Sequence, residues 1–190
     1  MNLHKLLRSS RSSEETAAYK TFLPTADQLQ QLADVGKDVL KCLPPEAGAC
    51  ALMSAVYADR LRISGLPAFV VAGTLGVAGQ RVFGNGRPID GGIFNSSNLD
   101  WDGHAWVMFG PYVADISIFR TAYSPRSPRL LTEHVRSEFG EGRGLYIDRW
   151  SDAPASGFHY SPQYVLKDSQ IDALVRGSRA VFAPAGDCTP

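Results

Sequence analysis

The 190-residue sequence contains no apolar run of about 18 residues, the length that a membrane-spanning helix needs. Its first residues, MNLHKLLRSSRSS, are basic but lack the apolar centre of a signal peptide, so the expected setting is cytoplasmic, with no membrane partner. An excess of one charge is also missing. Nineteen Lys and Arg face nineteen Asp and Glu, which argues against broad electrostatic attraction to nucleic acid or anionic lipid. Cysteine is scarce: Cys42, Cys50 and Cys188 form an odd, widely spaced set. That excludes a dense secreted disulfide framework and favours a reducing compartment, with Cys42 read as packing at a helix end and Cys188 as incidental. There is no CxxC or HxxxH pair, no Walker or Rossmann glycine pattern, no heptad run and no internal repeat, so no cofactor is called for.

What is present is enough apolar residue, 44%, for one packed core. The expected organisation is a disordered start over 1–12, a single domain over 13–182 and a flexible tail over 183–190. Ser13 opens a short helical pattern that Pro24 ends. Thr25 and Gln28 form a capping box for a helix whose Leu29, Leu32, Gly36, Val39, Leu40 and Leu43 share one stripe, and Pro44 and Pro45 stop it. A helix follows over 50–64, then strands near 67–76 and 80–83. Residues 84–103, rich in Gly, Asn, Asp and Ser, read as a long loop bordering the site. Further on, 130–139 reads as a helix, 144–150 as a strand and 158–166 as an edge strand because of Pro162. Asp168 caps a last helix. His134 and His159 read as structural or solvent-facing.

The chemistry concentrates between Gly48 and Ser117. Cys50 opens a helix, where the macrodipole and free backbone N–H groups favour a thiolate, the nucleophilic form. His104 opens the strand in GHAWVMF and Asp115 sits in the second strand, YVADIS, the two runs being separated only by Gly110 and Pro111. A two-residue hairpin loop there pairs Phe109 with Tyr112 and Trp106 with Asp115, so His104, Trp106, Asp115 and Ser117 share one face. A carboxylate beside an imidazole can fix its tautomer and stabilise its charged form. The Cys50 backbone N–H is one candidate oxyanion donor. Trp101, Asp102 and Trp106 are the candidate substrate contacts around this trio.

These pieces, Gly48-Ala49-Cys50 leading a helix, Gly65-Leu66-Pro67-Ala68, His104-Ala105-Trp106-Val107 and then Asp115, resemble the transglutaminase-like core of the papain-like cysteine enzymes over roughly residues 45–118. The resemblance implies an α+β fold with the nucleophile helix packed against an antiparallel sheet. It also implies a Cys50–His104–Asp115 triad acting on peptide or carboxamide bonds through a thioester, as a peptidase, amidase, deamidase or transglutaminase. The partner would be a peptide or protein substrate or a small amide. Two other classes remain open from the residues alone: a noncatalytic protein-binding module on the same scaffold, and a Cys/His/Asp zinc site.

Overall fold

The computed structural model describes residues 3–43, 49–84, 91–95 and 101–181. The proline stop at 44 and 45, most of the long loop and the tail over 183–190 lie outside the described residues. The elements in chain order are α1 (Leu3–Ser10), α2 (Ser13–Thr21), α3 (Ala26–Cys42), α4 (Cys50–Ile63), β1 (Phe69–Val77), β2 (Gln80–Phe83), β3 (His104–Phe109), β4 (Tyr112–Asp115), α5 (Ile118–Tyr123), α6 (Arg129–Phe139), β5 (Tyr146–Arg149), β6 (Phe158–Val165) and α7 (Asp168–Val181). The fold is mixed α and β around an open, antiparallel sheet.

The central strand is β1. It pairs with β3 over Phe69–Gly73, with β2 over Leu75–Val77 and with β6 over Val71–Val77. Since the β6 ladder overlaps both others, β2 and β3 must lie end to end on one side of β1, with β6 on the other. Pro162 sits on that outer strand, where a missing N–H disrupts no second ladder. Beyond β3 come β4 and then β5. The sheet curls, because Trp150 just past β5 donates to the Tyr160 carbonyl on β6 at 3.3 Å and the Tyr146 and Phe158 rings meet at 5.0 Å.

Strand alternation divides the apolar side chains between two cores. Val70, Ala72, Ala105, Val107 and Phe109 face α4 and its neighbours α3 and α7. Val71, Leu75, Trp106 and Met108 face the other side, with residues of α1, α5 and α6. Helix α4 is buried along most of its length, including Ala51, Met53, Tyr57 and Leu61, as its near-continuous apolar sequence suggests. Gly36 lets α3 approach it: an added Cβ would stand 3.1 Å from the Tyr57 hydroxyl, which donates to the Leu32 carbonyl at 2.6 Å. The Thr25–Gln28 capping box forms as the sequence predicts, and Ser12 and Glu15 form a second one at α2.

Three expectations change. Leu3–Ser10, within the stretch expected to be disordered, form α1, which buries Leu3, Leu6 and Leu7 against the second core. Each such side chain contributes on the order of 1.5–3 kcal/mol, which offsets the cost of ordering a short helix. Arg11 then ties this segment down, donating to the Leu166 carbonyl at 2.7 Å and pairing with Asp168, which also receives Arg62 at 2.9 Å. Helix α5 has no counterpart in the sequence reading, because a six-residue helix has too few turns to show periodicity. Finally, Cys42, expected to be a packing thiol at a helix end, is disulfide-bonded.

The sheet depends on Gly73. It pairs with His104 on one side and Pro162 on the other, beside an irregularity in the β6 ladder. An added Cβ would collide with the Ser161 carbonyl and come within 3.0 Å of the Trp106 ring. Gly73→Ala is therefore expected to lower stability by about 1–3 kcal/mol, the usual range for overpacking. A urea midpoint equal to wild type would show that β6 can move aside freely.

Candidate active site

The position of Cys50 is set by α4. The buried Ser54 hydroxyl donates to the Ala105 carbonyl at 3.1 Å, which locks the helix to β3 next to His104. Four residues earlier on the same helical face stands Cys50. It is the first residue of the helix, and the first intrahelical bond runs from the Met53 N–H to the Ala49 carbonyl. The N–H groups of Cys50, Ala51 and Leu52 thus have no intrahelical acceptor. Cys50 is a free thiol.

The hairpin forms in the predicted register, with Phe109 opposite Tyr112, Met108 opposite Val113 and Val107 opposite Ala114. One step further puts Asp115 beside Trp106 and within reach of His104. The His104 Nε2 and Asp115 Oδ2 are 2.5 Å apart, and both residues are sealed from solvent. Cys50 is a hydrogen-bond partner of the same imidazole. The three residues singled out by sequence are therefore brought together. Only Cys50 reaches the surface, at 7% exposure, against 1% for His104 and 0% for Asp115.

A buried carboxylate is costly unless its oxygens are filled. Those of Asp115 are: Oδ1 accepts from the Ser117 N–H, the Ser117 hydroxyl and the Ile118 N–H, each at 3.0 Å. Oδ2 takes the Tyr160 hydroxyl at 3.0 Å as well as His104. The Ile118 bond also satisfies the first N–H of α5, so one carboxylate serves the site and caps a helix. Burial by itself would raise the Asp115 pKa, but the His104 charge and these hydrogen bonds hold it below the usual carboxylate value. For His104, burial acts against the charged ring most strongly. The Asp115 charge and hydrogen bond, with Cys50 adding to them, more than offset it and push the pKa up to about 10. Tyr160, wholly buried beside this carboxylate, is raised well above the ordinary phenol value, first by burial and then by the Asp115 charge, so it stays a proton donor.

Aromatic rings pack against the imidazole. Phe83 stacks on His104 at 5.5 Å and Trp106 at 6.3 Å. Trp106 is wholly buried and touches Tyr160 at 5.1 Å, so it is a support for the site and offers no surface to a substrate, contrary to the sequence reading. Trp101 is half-buried with its ring edge-on to Phe94 at 5.2 Å. Asp102 is exposed and accepts the Gly84 N–H at 3.1 Å, which joins the two ends of the long loop. Within that loop, a short 3-10 helix, Gly91–Asn95, buries Phe94 and is held by Gln170 of α7, whose amide donates to the Gly91 carbonyl at 2.6 Å. That part of the loop is anchored. His134 and His159 stay apart from the trio, His134 bonding the Ser156 carbonyl at 2.9 Å and His159 lying exposed.

Tyr160 and Ser117 complete the site without having been assigned roles from sequence. Ser117 had a local signal, since Asp-x-Ser favours a side-chain turn. Tyr160 had none, because its contact crosses 45 residues of sequence. Among the described residues no group of three or more His, Cys, Asp or Glu is placed to hold a metal. The donors already directed at both Asp115 oxygens leave it poorly suited as a ligand. Comparison with family models, curated proteins and solved structures finds no match for this chain.

Two outcomes are expected. Tyr160→Phe removes a hydrogen bond to a buried charge and should cost about 1.5–3 kcal/mol in chemical unfolding at neutral pH; an unchanged midpoint would remove Tyr160 from the supporting set. The folded state also holds the His104 proton more tightly than the unfolded chain, whose value is 6.5. That stabilisation is complete below about pH 6.5 and is lost as pH rises towards 10. Across this window wild-type stability should fall more steeply than that of His104→Gln, by up to about 1.4 kcal/mol per pH unit. Parallel curves would show that the pair carries no such proton.

Proposed function

We propose that the chain is a cysteine-dependent hydrolase or acyl transferase of the transglutaminase-like, papain-like type, acting on a peptide or carboxamide bond. One observation carries this reading: a buried Asp115–His104 pair contacts a free cysteine placed at the first residue of a helix. Asp115 holds Nε2, which leaves Nδ1 for Cys50. The thiol proton rests on the imidazole as a thiolate–imidazolium pair, and the sulfur attacks the carbonyl carbon to form a C–S bond. His104 then gives its proton to the departing nitrogen as the C–N bond breaks, and an acyl thioester remains. Water resolves it to a carboxylic acid, or an amine resolves it to a new amide, with the thiol restored in either case. The N–H groups at the start of α4 supply positive potential for the oxyanion. A noncatalytic binding module is the second reading, favoured by the 7% exposure of Cys50.

The pH dependence of Cys50 alkylation by iodoacetamide, read by peptide mass spectrometry, separates them. Labelling should remain fast well below the ~8.5 pKa of a free thiol and should slow in His104→Ala and Asp115→Asn. Slow labelling at every pH in all three proteins would sink the enzymatic reading and leave the binding module.

A further inference from the structure

The sheet face that carries α4 continues past the N-terminus of that helix. Past Gly73, the partner of His104, β1 continues for four residues with β2 on one side and β6 on the other. By alternation Thr74 and Gly76 point to the same face as Val70 and Ala72, the face that α4 covers. Arg81, paired with Gly76, and His159, also paired with Gly76, share that face, as does Ser161 opposite Thr74. Together they line an open groove of about 330 Å³. Its floor is low because Gly76 has no side chain, and none of its lining residues is acidic. Arg81 and His159 are both exposed along it. Ser54 lies against Ala105, the partner of Ala72, and Cys50 stands one turn nearer His104, the partner of Gly73, so the N-terminal end of α4 is the end nearer this groove.

We propose that the groove is the subsite for an anionic group of the acyl-donor substrate, a carboxylate held by the Arg81 guanidinium with His159 and Ser161 as further hydrogen-bond donors. The inference rests on the Cys50 reading above and names the substrate class for the same site. Gly76 is three residues along β1 from Gly73, so the carboxylate lies roughly 10 Å from the level of His104, at about 3.3 Å per strand residue. Two extended residues beyond the reacting carbonyl span about 7 Å, and the long Arg81 side chain covers the remainder. The substrate is therefore an acidic peptide-like amide, with its negative charge about two residues from the bond attacked. A guanidinium suits this task because its planar donors match a carboxylate in pairs and its charge persists at every relevant pH.

Three affinity labels test this on the full chain: bromoacetyl-Gly-Gly with a free carboxylate, bromoacetyl-Gly-Asp-amide with a side-chain carboxylate, and neutral bromoacetyl-Gly-Gly-amide. Rates of Cys50 alkylation are divided by those with N-acetylcysteine, which removes intrinsic reagent differences. At low salt one or both acidic labels should exceed the neutral one by about three- to fivefold, the range of an exposed ion pair. Arg81→Gln should bring the ratio to about one, as should added salt, and His159→Gln should lower it. A preference for the first label assigns the groove to a chain terminus, and for the second to an acidic side chain. Equal normalised rates for all three in wild type, with Cys50 reactive, overturn the subsite and leave the nucleophile intact. No reaction of Cys50 with any label, iodoacetamide included, overturns the nucleophile and the subsite with it.

Discussion

A carboxylate without solvent must be satisfied by the protein, and that constraint at Asp115 organises the surrounding structure. Five donors converge on it from β3, the turn into α5, α5 itself and β6. Each can arrive only if its element is correctly placed. The hairpin turn must close at Gly110 and Pro111, α5 must begin at Ile118, and β6 must bring Tyr160 across the curled sheet. Proton affinity at His104 follows from the same arrangement, since the raised value needs a nearby charged carboxylate to overcome the burial of the ring. Packing and electrostatics are one problem here.

Gly73 solves the steric half of that problem. Strand β1 has to accept β3 and β6 closely on either side, and the ring of Trp106 lies over it. A side chain at this position would push β6 outward and move the Tyr160 hydroxyl with it. Trp106 and Phe83 then restrict the imidazole laterally, so His104 has little freedom to leave the plane that Asp115 and Cys50 both require.

Much of this was legible in the sequence where short-range rules apply. The two-residue turn fixes the β3–β4 register and hence the approach of His104 and Asp115, because slipping by one residue would invert the faces. Thr25 and Gln28 announce a helix entrance by chemistry alone. The start of α4 at Cys50 follows from a continuous apolar stretch ended by Gly65, which adopts a positive φ of 74°. Long-range facts were not legible. Nothing local distinguishes Tyr160 from the other tyrosines of the chain, and the burial of Trp106 depends on how the strands curl. Helix α1 exists because Leu3, Leu6 and Leu7 find an apolar surface built by residues far along the chain, while its own composition points to disorder.

The outer position of β6 has a consequence for the order in which the site matures. A chain emerging from the ribosome exposes Cys50, His104 and Asp115 well before Phe158. Cys50, His104 and the three backbone and hydroxyl donors from Ser117 and Ile118 can assemble with the first four strands, but the Tyr160 hydroxyl arrives only when the last strand docks on β1. Until then the carboxylate is open to water and the ion pair beside it is screened. The last strand therefore desolvates the trio as it completes the sheet, and a nascent chain that stalls earlier carries its thiol in a wetter, weaker field.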